Sequence, residues 1–183
     1  DSDEARQIAT ERLLAGVDRA TRLVEQLLAL ARHDGDGGGA AIDAAPVDLV
    51  ALTRRALHDA ASEAQARQIE LRGPGDAAPV IVPGQSDALT VLLRNLIDNA
   101  LKHTPAGGVV QVSAQRGEGT GAELVVEDSG PGIPPEERQR VLDRFYRVPG
   151  APGHGSGLGL AIVQAVARRH GARVEVGESA GLG

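Results

Sequence analysis

Asn95, Asn99 and Lys102 are spaced by four and then three residues in a Leu-rich stretch. On a helix they share one face, while Leu92, Leu93, Leu96, Ile97 and Ala100 cover most of the rest. Asn is a mediocre helix former, so two in mid-helix ask for a reason. One reason is chemistry: an amide oxygen is a hard donor suited to Mg²⁺, which completes its octahedron with water and substrate phosphates, and a lysine beside it neutralises phosphate charge. A solvated polar stripe explains this helix alone equally well. His103, four residues after Asn99, is placed to stack on or hydrogen-bond a nucleotide. Composition favours a site: these are the only asparagines and the only lysine of a chain that otherwise uses arginine, and its only aromatics, Phe145 and Tyr146, stand side by side.

Two further segments carry possible chemistry. Asp128 follows the apolar run Leu124-Val125-Val126 and opens Asp128-Ser129-Gly130-Pro131-Gly132-Ile133. A carboxylate at a strand end accepts a hydrogen bond from an exocyclic amine, and glycines beside it let a flat ring approach the backbone, although the same residues are ordinary turn formers. Gly153, Gly155, Gly157 and Gly159 alternate with His154, Ser156 and Leu158 before an apolar helix, so backbone amides there could cradle phosphates. The spacing fits neither the P-loop nor the dinucleotide fingerprint, and a flexible linker is the competing reading. Phe145 and Tyr146 suit a lid anchor or simple core packing. The five histidines show no metal-ligand spacing and no triad setting; apart from His103, and His154 in the glycine loop, they read as solvated.

The rest of the chain has to position these groups. With 42% apolar residues and only two aromatics, 183 residues can bury a core that must be aliphatic. Absence of cysteine removes disulfides and thiolate chemistry, and no run is long and apolar enough to suggest a membrane span. A net charge of -6 without a basic run argues against nucleic-acid binding. With no methionine anywhere, the chain is expected to be a piece of a longer protein. Residues 8–31 repeat apolar positions at heptad-like steps, which predicts a long helix for a multi-helix bundle, followed by a Gly-rich linker. Beyond it, periodicity predicts helices over 49–65, from 86 onward and over 158–170, short strands at 69–71 and 80–82, and a hairpin of 109–112 with 123–126. A short helix starting at 134 and a last strand at 174–176 complete the expectation: an α+β domain with helices on one face of a single sheet.

Taken in order, Asn95-x-x-x-Asn99-x-x-Lys102, Asp128-x-Gly130-x-Gly132, Arg144-Phe145-Tyr146-Arg147 and Gly155-Ser156-Gly157-Leu158-Gly159 resemble the N, G1, F and G2 boxes of sensor histidine kinases. Residues 20–32 are similar to the end of that family's second dimerisation helix. The resemblance implies a two-layer α/β sandwich of the Bergerat type and a domain plan of helix over 1–34, linker over 35–46 and catalytic domain over 47–183. It implies ATP and Mg²⁺ as ligands, with Asn99 on the metal, Asn95 and Lys102 at the metal-phosphate region and Asp128 on the adenine amine. Gly130 and Gly132 would shape the base pocket, and Gly155, Gly157 and Gly159 the lid hinge and phosphate contacts. His103, Ile133, Phe145, Arg147, Ser156 and Leu158 complete the implied nucleotide-contacting set.

In hydrolytic relatives a glutamate activates water where Asn95 stands, and an amide cannot act as that base. The implied reaction is transfer of the ATP γ-phosphoryl to a histidine on a first dimerisation helix, then to an aspartate of a response regulator. Implied with it are homodimerisation through the N-terminal helix of the intact protein and a cytoplasmic position below a membrane anchor, with no membrane contact by this segment. No histidine here is followed by the family's phosphoacceptor pattern, so this chain alone is not expected to autophosphorylate. The family's final strand is expected beyond Gly183.

Overall fold

The computed structural model describes residues 44–117, 121–149, 156–179 and 181–182, so the predicted N-terminal helix lies outside the described residues. The first strand, β1 (Ala45–Asp48), pairs antiparallel with β3 (Ile81–Gly84). It begins inside the segment read as linker. Between them run helix α1 (Leu49–Ala66) and the short strand β2 (Glu70–Arg72). Helix α2 (Ser86–His103) leads to the hairpin β4 (Val109–Arg116) and β5 (Ala122–Asp128). Two 3₁₀ turns, Pro135–Glu137 and Arg140–Leu142, precede helix α3 (Gly159–Arg169).

Local chemistry sets the element ends. Asp48 caps α1, its Oδ1 accepting from the Val50 N–H at 3.0 Å and from the Val80 N–H at 3.2 Å, which ties the helix start to the approach of β3. Past the other end, Gln68 takes the left-handed conformation at φ 58°, and its carbonyl accepts from the Gly107 N–H. Just past the His170 C-cap of α3, Gly171 takes φ 66°.

The α+β expectation is met, but the single sheet is not. The strands form a two-stranded ribbon, β1–β3, and a separate three-stranded sheet in the order β2–β4–β5, with β2 parallel to β4 and β4 antiparallel to β5. Pro46 faces Pro83 in the ribbon, and neither has an N–H to donate, so the ribbon is a poor template for further pairing. The strand expected at 174–176 is also absent. The chain just after it is tied down by side chains: Ser179 Oγ donates to Glu127 Oε1 of β5 at 2.9 Å, and Glu178 accepts from Arg138, after the first 3₁₀ turn, at 2.7 Å.

The core is aliphatic, as composition requires. Leu93, Ile97 and Leu101 of α2 are fully buried with Val50 of α1 and with Val110 and Val112 of β4. Ile162, Val163 and Val166 give α3 its buried side, and it packs on α2. Neither aromatic joins this core: Phe145 is 67% exposed and Tyr146 is half-buried.

Thr53 stands out within α1. It is fully buried, and its Oγ1 has no hydrogen-bond partner. A desolvated hydroxyl without a partner costs free energy, and valine fills the same shape with similar helix propensity. Thr53→Val should therefore raise stability by about 1 kcal/mol, read as a higher urea midpoint at constant slope. A lower midpoint would show that the hydroxyl is engaged in solution.

Candidate nucleotide site

Helix α2 presents its apolar stripe to the sheet and its polar stripe elsewhere. Leu93, Ile97 and Leu101 recur at four-residue steps, and Asn95, Asn99 and Lys102 lie on the roughly opposite face. Asn95 is buried at 9% exposure and its Nδ2 donates to the Val91 carbonyl at 2.8 Å. This bond back to the preceding turn orients the amide. The Oδ1 looks toward the start of α3, where a Cβ added to Gly159 would come within 3.5 Å of it. Asn99 and Lys102 are half-buried.

The other end of the site forms where β5 stops. Asp128 stands opposite Val110, so its side chain is on the core-facing side of the hairpin. Its Oδ1 accepts from the Gly130 N–H at 2.9 Å, making a tight turn. Position 130 tolerates no side chain, because a Cβ there would lie 2.8 Å from the His103 carbonyl oxygen and 2.7 Å from Asp128 Oδ1. The last residue of α2 is thereby pressed onto the turn after β5. Ser129 closes this junction, its Oγ accepting from the Val109 N–H at 2.9 Å and its own N–H donating to the Val109 carbonyl at 3.0 Å. Gly132 has φ 72°, and Ile133 beyond it accepts from Arg138 Nε at 3.1 Å.

The electrostatics agree with the geometry. Burial, then the charges of Arg147 and Arg67, hold the Lys102 ammonium below the ordinary lysine value. His103 is likewise held below the usual imidazole range, first by burial and then by the Lys102 charge; Asp128 opposes this and Arg147 reinforces it. The charge of Arg147 thus reaches both Lys102 and His103, and that of Asp128 reaches His103, from separate stretches of chain.

The aromatic and glycine segments meet as well. The Phe145 N–H donates to the Gly157 carbonyl at 2.9 Å, and a Cβ on Gly157, whose φ is 68°, would fall 2.6 Å from the Phe145 carbonyl carbon. Phe145 itself has φ 62°, uncommon for a non-glycine residue, and points its ring to solvent. Leu158 is buried, and its N–H donates to Ser156 Oγ at 3.3 Å. Gly155, also predicted for the site, lies outside the described residues. Tyr146 is anchored by its hydroxyl on Glu137 and by Arg140, stacked 4.3 Å from the ring centre.

Arg67, Glu137 and Arg140 carry no motif, and only contacts across the fold reveal them; Ser129 and Tyr146 lie inside quoted boxes, but their bonding partners were not legible there. His170 was expected to be solvated and is not: its Nε2 accepts from the Gln85 N–H at 3.1 Å.

Among the described residues no three His, Cys, Asp or Glu side chains converge on a point. The available hard donors are the amide oxygens of the α2 stripe, which suits a cation that brings water and phosphate oxygens with it. The shallow apolar groove formed by Ala44, Pro46, Ile81 and Pro83 on the ribbon offers no such donors.

Comparison with known proteins gives this arrangement a family. Residues 84–183 match the family described as "Histidine kinase-, DNA gyrase B-, and HSP90-like ATPase". Sensor protein QseC of Escherichia coli (strain K12) is 41% identical over 179 residues, 98% of this chain, and the chain spans 38% of that protein's length. The solved cytoplasmic segment of histidine kinase QseC is 32% identical, with a TM-score of 0.59 over 91% of this chain and 89% of that one. Full-length ShkA, solved in complex with AMPPNP, is 30% identical with a TM-score of 0.74, covering 88% of this chain and 33% of that one. With the four boxes in order on an α+β domain, the chain belongs to the histidine kinase-, DNA gyrase B- and HSP90-like ATPase family, as a catalytic domain of the sensor histidine kinase kind.

Proposed function

We propose that the junction of α2, the turn after β5 and the glycine segment before α3 binds ATP with Mg²⁺, and that the whole protein passes the γ-phosphoryl to a histidine and on to a response-regulator aspartate. The observation that carries this is the pressing of Gly130 onto the His103 carbonyl, which brings Asp128 beside the cationic end of α2. Asp128 accepts the adenine amine, with Gly130, Gly132 and Ile133 forming the wall on which the ring lies. His103 flanks the base. Lys102 and Arg147 meet the phosphates, and the backbone from Gly155 through Ser156, Gly157 and Leu158 to Gly159 covers them, with Phe145 at the hinge.

Asn99 holds the metal and Asn95 orients the phosphate end. Bound Mg²⁺ supplies charge neutralisation across the phosphates. The chain's own contribution is to position and to stabilise charge, since the Asn95 amide cannot take a proton from water. That disfavours a hydrolytic ATPase reading and leaves the nucleophile to a histidine on another helix. A homodimer through the N-terminal heptad segment and a place on the cytoplasmic side of a membrane-anchored sensor belong to the same proposal. The domain plan of 1–34, 35–46 and 47–183 follows from it.

Asp128→Asn tests the adenine contact cleanly. The Asn oxygen can keep the bond from the Gly130 N–H, while its NH₂ meets the adenine amine donor to donor. Calorimetric titration should show ADP affinity falling about 10- to 100-fold, the loss of one charge-assisted bond, and reduced discrimination against GTP, whose base presents a carbonyl oxygen there. Asn99→Ala should abolish the Mg²⁺ dependence of binding. Wild-type affinity in both variants would refute the assignment.

His103 adds a pH signature. Folding disfavours its proton, so the unfolded chain binds more protons just below the ordinary value of 6.5. Stability is complete above that pH and declines as pH falls toward the lower folded value. The urea midpoint should drop more between pH 7.5 and pH 5.5 in the wild type than in His103→Gln, and equal drops would contradict the burial of a neutral ring.

A further inference from the structure

The structure assigns His170 as a positioning residue that fixes the axial register of α3 against α2, and through it the phosphate end of the site; the functional part of this assignment rests on the proposed ATP reading. The bonds at the ring settle its state. A backbone N–H can only donate and a carbonyl can only accept, so Nε2 takes the Gln85 N–H at 3.1 Å while Nδ1 carries the proton and donates to the Val166 carbonyl at 2.8 Å. The ring is oriented by its own helix and reaches out to another.

Its partner is the N-cap residue of α2. Gln85 makes no side-chain cap bond. In a capping box the N-cap N–H is accepted by a Glu or Gln at the third helical position, but here that position is Ala88, which has no acceptor. His170 supplies the missing acceptor from 85 residues away. The chain before the cap is fitted to the ring: a Cβ on Gly84 would lie 3.1 Å from His170 Cδ2 and 2.8 Å from Leu89 Cδ1.

The two helices also approach where a Cβ on Gly159 would lie 3.5 Å from the Asn95 Oδ1. From Gln85 to Asn95 is about 15 Å of helix, and from Gly159 to His170 about 16 Å, at a rise of ~1.5 Å per residue. The helices therefore run antiparallel with matched spans, pinned at one end by His170 and meeting at the other beside Asn95. Releasing the pin lets α3 slide, and a slip of one residue moves the glycine segment by about 1.5 Å relative to Asn95. The adenine end does not move with it, because Asp128, Gly130 and His103 are held by β5 and the last turn of α2.

Three variants of the whole chain test this: His170→Ala, His170→Asn, whose shorter side chain leaves no acceptor at the Nε2 position, and His170→Gln, whose Oε1 can replace it. Amide hydrogen exchange is followed at Gln85, and NMR titration compares ADP with Mg²⁺ against adenosine, which has no phosphates. Exchange at Gln85 should quicken about tenfold or more in the Ala and Asn variants and recover in Gln. ADP affinity should fall about tenfold in the first two and recover in the third, with adenosine binding unchanged in all. Unchanged Gln85 exchange in His170→Ala overturns the latch. Faster exchange with unaltered ADP affinity overturns the positioning role, leaving a structural bond only. A wild type that binds neither ADP nor adenosine refutes the ATP reading and the phosphate-end role with it, and the latch itself is then decided by exchange.

Discussion

Everything in this domain depends on how α2 is buried. Its Leu93, Ile97 and Leu101 stripe lies against β4 and α1, while the opposite side meets the start of α3. A helix packed on two sides cannot rotate by even one residue without driving asparagine and lysine into the core, at a cost of several kcal/mol for unsatisfied polar groups. The aliphatic stripe thus aims the polar one. Asn95, Asn99 and Lys102 are held in place by leucines, valines and isoleucines of the core.

That rigidity gathers charge which folding alone does not favour. Arg67, at the C-cap of α1, and Arg147, before α3, repel Lys102 of α2, which adds to the burial that lowers the Lys102 pKa. Arg67 and Arg147 are exposed, and Arg67 is paired with Glu63 at 2.9 Å, so the conflict falls on the half-buried Lys102, and perturbed groups of this kind concentrate at functional sites. On the proposed reading, a phosphate beside Lys102 relieves it. The Asp128 carboxylate acts on His103 against the Lys102 charge, and this polarity is the one the proposed reading uses, with phosphate at the cationic end and base at the acidic one.

Much of this was legible from the residues. The hairpin of β4 and β5 follows from alternation across a Gly-rich turn, and α1, α2 and α3 lie within a residue or two of their periodic patterns. The asparagines and the lone lysine marked a candidate site because a helix has no local use for them. What stayed hidden depends on distant partners. Strand β1 is four residues long, contains Pro46 and finds its partner β3 only after an entire helix and strand. Alternation at 174–176 suggested a strand, but pattern alone does not say whether a segment docks by a backbone ladder, and here the chain meets β5 through the Ser179–Glu127 side-chain bond. His170 reads as a helix-terminal histidine like any other until Gln85 is seen beside it. Phe145 could have been core or surface, and its exposure follows from a backbone bent to φ 62° around Gly157.

The most direct test of the account is a crystal structure of this chain with Mg²⁺ and a non-hydrolysable ATP analogue. It should place the adenine amine within hydrogen-bond distance of Asp128, the metal on the Asn99 amide oxygen and the phosphates between Lys102 and the backbone before α3. An analogue bound elsewhere, or bound here with its base turned away from Asp128, would contradict it.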